Sequence, residues 1–113
     1  MQFLDARLHG LLDYVAAAAL IAAPFILGLE AHGPVAMWLS VGGGAGLILY
    51  SLLTDYGFGV VPVIPFRLHL LLDLGAAVAF IAAIFIFSFT GLAAIYYAVM
   101  AGGVILVVLA SKR

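Results

Sequence analysis

The chain contains no cysteine, and among its 113 residues only four are Lys or Arg and five are Asp or Glu. Without cysteine there is no disulfide framework, no thiolate metal ligand and no Cys nucleophile. The shortage of basic residues excludes nucleic acid as a partner, because neutralising phosphates takes a basic surface that four cations cannot supply. Charged residues make up 8% of the sequence, against roughly 25% in a soluble domain, so the chain cannot cover itself with a solvated surface. Long polar stretches are missing as well. Between the apolar runs stand only "EAHGP", "TG" and the longer "DYGFGVVPVIPF".

What is present in abundance is apolar: 68% of residues are hydrophobic. Four runs, at 8–29, 35–53, 68–89 and 92–110, are long enough to cross a hydrocarbon core about 30 Å thick, which takes roughly 20 helical residues. A segment in lipid must satisfy its backbone polar groups internally, and the period-2 alternation of a barrel strand is absent, so each run reads as a helix. The expected fold is an all-α integral membrane protein, a single domain over 1–113 with four transmembrane helices. The short first and third connections make each helix pair an antiparallel hairpin. In the middle connection, residues 55–66, Gly57, Gly59, Pro62 and Pro65 forbid a continuous helix, while its apolar residues suit the membrane interface.

The two hairpins share text. "RLHGLLDYVAAAALIAAPFILGL" from Arg7 and "RLHLLLDLGAAVAFIAAIFIFSF" from Arg67 are identical at 14 of 23 positions at an offset of 60. The second copy lies deep in the chain, so the first reads as a retained helix rather than a secretion signal. Carried on without a gap, the offset aligns Gly42 and Gly43 with Gly102 and Gly103, giving repeat 1 over about 7–54 and repeat 2 over about 67–113. An even number of crossings per unit makes the repeats parallel, with both His/Asp pairs at one depth. Arg7, Arg67, Lys112 and Arg113 then fall on one face, so the positive-inside rule puts both termini in the cytoplasm of a cell (inner) membrane. Trp38, Tyr96 and Tyr97 near one face, and Tyr14, Tyr50, Tyr56 and Phe66 near the other, read as interface anchors.

The duplicated hairpin, the "LLDY...AAPFILGL" of the first copy and the joining "YSLLTDYGFGVVPVIPFRLHLLLD" resemble the SPW repeat family of small membrane proteins. That family is named for a Ser-Pro-Trp triplet late in the first helix of each repeat. Here the triplet position reads Ala23, Pro24, Phe25 and then Ala83, Ile84, Phe85, so the signature is lost in the second copy. The resemblance implies two tandem helical hairpins and no established activity.

The chemistry concentrates in His9 with Asp13 and His69 with Asp73. Four residues apart on a helix, the members of each pair share a face and can hydrogen-bond, and Asp5 extends the first stripe by a turn. Ionisable groups in a spanning helix face protein or water by default. The leading expectation is a polar network in which each Asp accepts from its own His or from Arg7 or Arg67, pinning the first helix to the third. The sharper alternatives are a metal site, since imidazole and carboxylate suit zinc or iron, haem between His9 and His69, and proton carriage by Asp13 and Asp73 in a coupled transporter. Gly42, Gly43, Gly44, Gly46, Gly102 and Gly103 lack the context of a phosphate loop and read as helix-packing surfaces. Glu30 and His32 read as loop residues.

The expected role is therefore structural or accessory within a membrane assembly, the chain packing on itself or on other membrane subunits in the lipid bilayer. A small proton-coupled transporter or metal-binding protein is the alternative. No cofactor is expected, the metal is unspecified, and no enzyme is expected, because Ser40, Ser51, Ser88 and Ser111 stand in no nucleophile context and none lies near a His/Asp pair in sequence.

Overall fold

The computed structural model describes residues 4–55 and 59–112; Tyr56, Gly57 and Arg113, which enter the sequence reading, lie outside them. The described residues form four helices: α1 (Ala6–Ile26), α2 (Pro34–Leu52), α3 (Phe66–Ile86) and α4 (Gly91–Ala110). All four are long and apolar enough to cross a membrane. A helix of about 20 residues rises about 30 Å, the thickness of a bilayer core, and the long dimension of the molecule is 38 Å. The spans start up to two residues earlier than the hydrophobic runs and end up to three earlier, because local capping rather than hydropathy sets the ends. Asp5 caps α1 by accepting from the Leu8 amide at 2.8 Å, which removes it from the His/Asp stripe. Pro34 opens α2 at a position where a missing N–H goes unnoticed.

Helices α1 and α3 both have 21 residues and start 60 residues apart, whereas α2 and α4 start 57 apart. A single 3-10 turn, Leu29–His32, occupies the first connection and takes up the difference. The gapless offset of the sequence therefore fails in the second half of each hairpin. Gly46, not Gly43, stands where Gly103 stands, and Tyr50 stands where Val107 stands.

Helix α1 packs along α2, and α3 along α4, while contact between the hairpins is sparser. Each hairpin end is tied across to its neighbour. The Leu4 amide donates to the Ala110 carbonyl at 2.9 Å and the Lys112 amide to the Leu4 carbonyl at 2.7 Å, so both ends of the described chain meet on one side. On that same side the Ile64 amide donates to the Leu53 carbonyl and the Asp55 amide to the Ile64 carbonyl. Gly59 is indispensable there, since a Cβ would stand 2.0 Å from the Thr54 carbonyl oxygen.

The core fills the opposite half with Ala17, Leu20, Leu29, Phe80, Tyr96 and Tyr97, among others. Tyr96 and Tyr97 are buried rather than interfacial. Ser40 Oγ donates to the Leu20 carbonyl at 2.7 Å, so the Tyr96 hydroxyl, 2.5 Å away, donates to Ser40. Tyr97 donates to the Ala36 carbonyl at 2.6 Å and stacks on Phe89. A phenol in an apolar core needs such a partner. Trp38 is exposed and meets Phe25 edge to face.

Candidate metal centre

In α1 the buried stripe runs His9, Asp13, Ala17, Leu20, and in α3 it runs His69, Asp73, Ala77, Phe80. Helical spacing alone puts each set on one face; facing the two stripes brings all four ionisable groups together. His9 Nε2 lies 2.9 Å from Asp73 Oδ2 and His69 Nε2 lies 2.6 Å from Asp13 Oδ2. The pairs within each helix are longer, 3.2 Å for His9 with Asp13 and 3.3 Å for His69 with Asp73. The expected partnership of each Asp with its own His is thus secondary to the closer contacts that cross between hairpins. Arg7 and Arg67 are exposed at the helix starts, outside this square.

The remote ring nitrogens fix the chemistry of the near ones. Ser111 Oγ donates its one proton to the Val107 carbonyl at 2.6 Å and lies 2.6 Å from His9 Nδ1. Thr54 Oγ1 donates to the Tyr50 carbonyl at 2.6 Å and lies 2.8 Å from His69 Nδ1. With both hydroxyl protons committed, each Nδ1 must be the donor. A neutral imidazole so arranged carries its lone pair on Nε2, aimed at the carboxylates. The backbone bridges described above are what bring Ser111 over α1 and Thr54 over α3.

Two Nε2 lone pairs and two carboxylate oxygens cannot share a buried square unless two positive charges join them, as two protons on the imidazoles or as one divalent cation. Both imidazoles are fully buried and the carboxylates nearly so. Asp13 Oδ2 is buried and accepts no well-directed hydrogen bond despite its two imidazole neighbours, which fits an oxygen placed for a cation better than one placed for an N–H. The four candidate ligand atoms lie within 4.8 Å of one another. Bonds of about 2.0 Å to a tetrahedral ion separate ligands by about 3.3 Å, the upper end of the observed N···O separations. Asp73 Oδ1 accepts from the Tyr50 hydroxyl at 2.5 Å, and Phe66 meets His9 edge to face and lies over His69. These contacts orient the inner groups as outer-shell partners of metal ligands do.

The arrangement has no slot for a porphyrin between the histidines, since both Nε2 atoms rest on the same two carboxylates. Ser111, remote from the pairs in sequence, does touch His9. Yet it touches the nitrogen away from the carboxylates, is fully buried and has its proton committed, so it is not poised as a nucleophile. Sequence reading missed Thr54, Ser111 and Tyr50 as members of the site. A hydroxyl or phenol at a helix end carries no distinguishing spacing, and only a polar residue in an apolar helix terminus hinted at them.

The six glycines divide. A Cβ at Gly44 would come within 3.0 Å of Ile21, Ala17 and Leu20, and one at Gly43 within 2.9 Å of the Phe80 ring, whereas at Gly42, Gly46, Gly102 and Gly103 it would meet nothing within 4 Å. Close helix approach within the chain rests on the first two. Compared with family models, curated proteins and solved structures, the chain matches none.

Proposed function

We propose that this chain is a multi-pass membrane protein that binds one divalent first-row transition ion, zinc foremost, through His9, Asp13, His69 and Asp73, the ion tying its two hairpins together. The observation that carries the reading is the convergence of two Nδ1-anchored imidazoles and two carboxylates on one buried centre. The structural role expected from sequence is retained in it, because the same four groups form a buried ionisable link between hairpins whose contact is sparser than that within each hairpin. Proton coupling is a second reading favoured by charge balance. One divalent ion and two imidazole protons neutralise the two carboxylates equally, so they can replace each other without a change in buried charge.

The finer architecture belongs to the same proposal: two parallel hairpin repeats with an interfacial linker at 55–66, membership of the SPW repeat family on the residues quoted above, no enzymatic activity, and assembly with itself or other membrane subunits. The inner membrane with both termini cytoplasmic is supported by Arg7, Arg67 and Lys112, which stand at the side where the described chain ends meet, with Arg113 following Lys112 in the sequence.

Purified chain titrated with Zn²⁺ in buffers of differing ionisation enthalpy should bind about one ion and release about two protons. Mg²⁺, which demands octahedral oxygen ligands, should not compete. The Asp13→Asn, Asp73→Asn double variant keeps acceptors of similar shape, so it should remain helical while losing the ion. Retention of Zn²⁺ by that folded variant would falsify the metal reading.

A further inference from the structure

A cavity of about 590 Å³ lies between the hairpins, directly beside the square, and its size is that of a site for a small molecule. Its walls are apolar and come from all four helices, with small residues such as Ala16, Gly46 and Gly103 leaving the space. Its polar groups are Asp13, Asp73 and Tyr50, all at one end. Val15 and Val99 line it and are themselves 60% and 63% exposed, so it opens sideways at a depth where the surroundings are acyl chains. Whatever enters comes from the bilayer.

The two carboxylates at its end are not equivalent. Asp73 Oδ1 accepts from Tyr50. At the matching place on α4, the residue whose carbonyl receives the Ser111 hydroxyl as that of Tyr50 receives Thr54, stands Val107, which has nothing to donate. Asp13 lines the cavity while its Oδ2 is buried against the two imidazoles, which leaves Oδ1 as its free acceptor, and no hydrogen bond from a described residue reaches it. An acceptor held at the closed end of an apolar chamber asks for a donor on an apolar body. The square is already charge-neutral with either an ion or two protons, so that donor is better neutral than cationic.

We infer that the cavity binds a hydroxyl-headed lipophile, such as a long-chain alcohol, which donates to Asp13 Oδ1 and lays its chain along Leu20 and Phe80. Binding uses the carboxylate oxygen that faces away from the square, so it does not depend on which cation occupies the centre.

The full chain in phosphatidylcholine nanodiscs, titrated with radiolabelled dodecanol and with dodecyl methyl ether, tests this, with empty discs subtracted. The alcohol should saturate at about one per chain and bind about tenfold or more tighter than the ether, which lacks the donor. Val107→Tyr supplies a protein donor and should erase that preference, whereas Val107→Phe, of like bulk, should keep it. Gly103→Phe, placed where a Cβ meets nothing, should fill the chamber and abolish saturable binding. Zinc content measured on each sample separates the two readings: alcohol selectivity in a chain that binds no zinc leaves this inference standing and removes the metal. Equal binding of alcohol and ether, unsaturable uptake, a preference that survives Val107→Tyr or disappears in Val107→Phe, or unchanged binding in Gly103→Phe overturns it.

Discussion

Ser111 and Thr54 hold the imidazoles by their outer nitrogens and so decide which atom is left to act as a ligand. Each hydroxyl is both donor and acceptor, and removing it leaves a buried N–H without its acceptor. Ser111→Ala and Thr54→Ala should each weaken Zn²⁺ binding by about 10- to 100-fold, the usual effect of losing an outer-shell partner. Ser111→Thr, which restores the oxygen, should recover most of it. Competition against a chromophoric chelator measures both. A metal affinity indifferent to the alanine variants would mean that the ring orientation is fixed by packing alone. The Tyr50 hydroxyl acts on a carboxylate while its ring lies against His69, so Tyr50→Phe, which keeps the ring and removes the donor, should loosen Asp73 and lower affinity.

At the scale of the helix, the ends and the close approaches are where sequence changes should be felt. Helices α1 and α3 stop alike, with the Leu27 and Phe87 amides donating back to the Ala23 and Ala83 carbonyls. The next residue is left-handed in both, Gly28 at φ 66° and Ser88 at φ 54°. Glycine takes that conformation freely and serine does not. Ser88→Gly should therefore stabilise the chain, by up to about 1 kcal/mol once the added freedom of the unfolded state is deducted. Thermal unfolding in detergent reads this, and no gain would mean that the serine hydroxyl offsets the strain. Along α2, Gly44→Leu should destabilise by about 1–3 kcal/mol, because the added side chain enters the α1 backbone. Gly42→Leu, with open space at its Cβ, should leave unfolding within about 0.5 kcal/mol of the parent.

For the molecule as a whole, the square joins two hairpins that have little hydrophobic drive to associate, since lipid is as apolar as their side chains. An ion that binds only the assembled pair adds stability by mass action, about 2.7 kcal/mol at a hundredfold excess over its dissociation constant. Zinc should raise the unfolding temperature and a chelator lower it, and the double Asp→Asn variant should lose the response. Orientation is a property at the same scale. A cytoplasmic reporter fused after Arg113 should be active and one that works only outside silent; the opposite pattern would reverse the assignment and put the metal centre on the outer side.

Much of this was legible without coordinates because of the solvent the chain is built for. Lipid offers the backbone no hydrogen bonds, so length and hydropathy sufficed for four helices and two hairpins, and the four-residue spacing of His9 with Asp13 and His69 with Asp73 sufficed for their sharing of a face. The tertiary structure alone decided that the two faces meet and that the closest His–Asp contacts cross between helices. It also decided that Tyr96 and Tyr97 turn inward to Ser40 and Ala36, and that α2 and α4 start 57 residues apart where α1 and α3 start 60 apart. Periodicity fixes where a side chain points around its own axis, whereas which helix lies opposite, and at what height, is set by the loops and by packing between segments far apart in sequence. For the same reason Thr54 and Ser111 became part of the site only when the ends of α2 and α4 were laid beside the starts of α3 and α1.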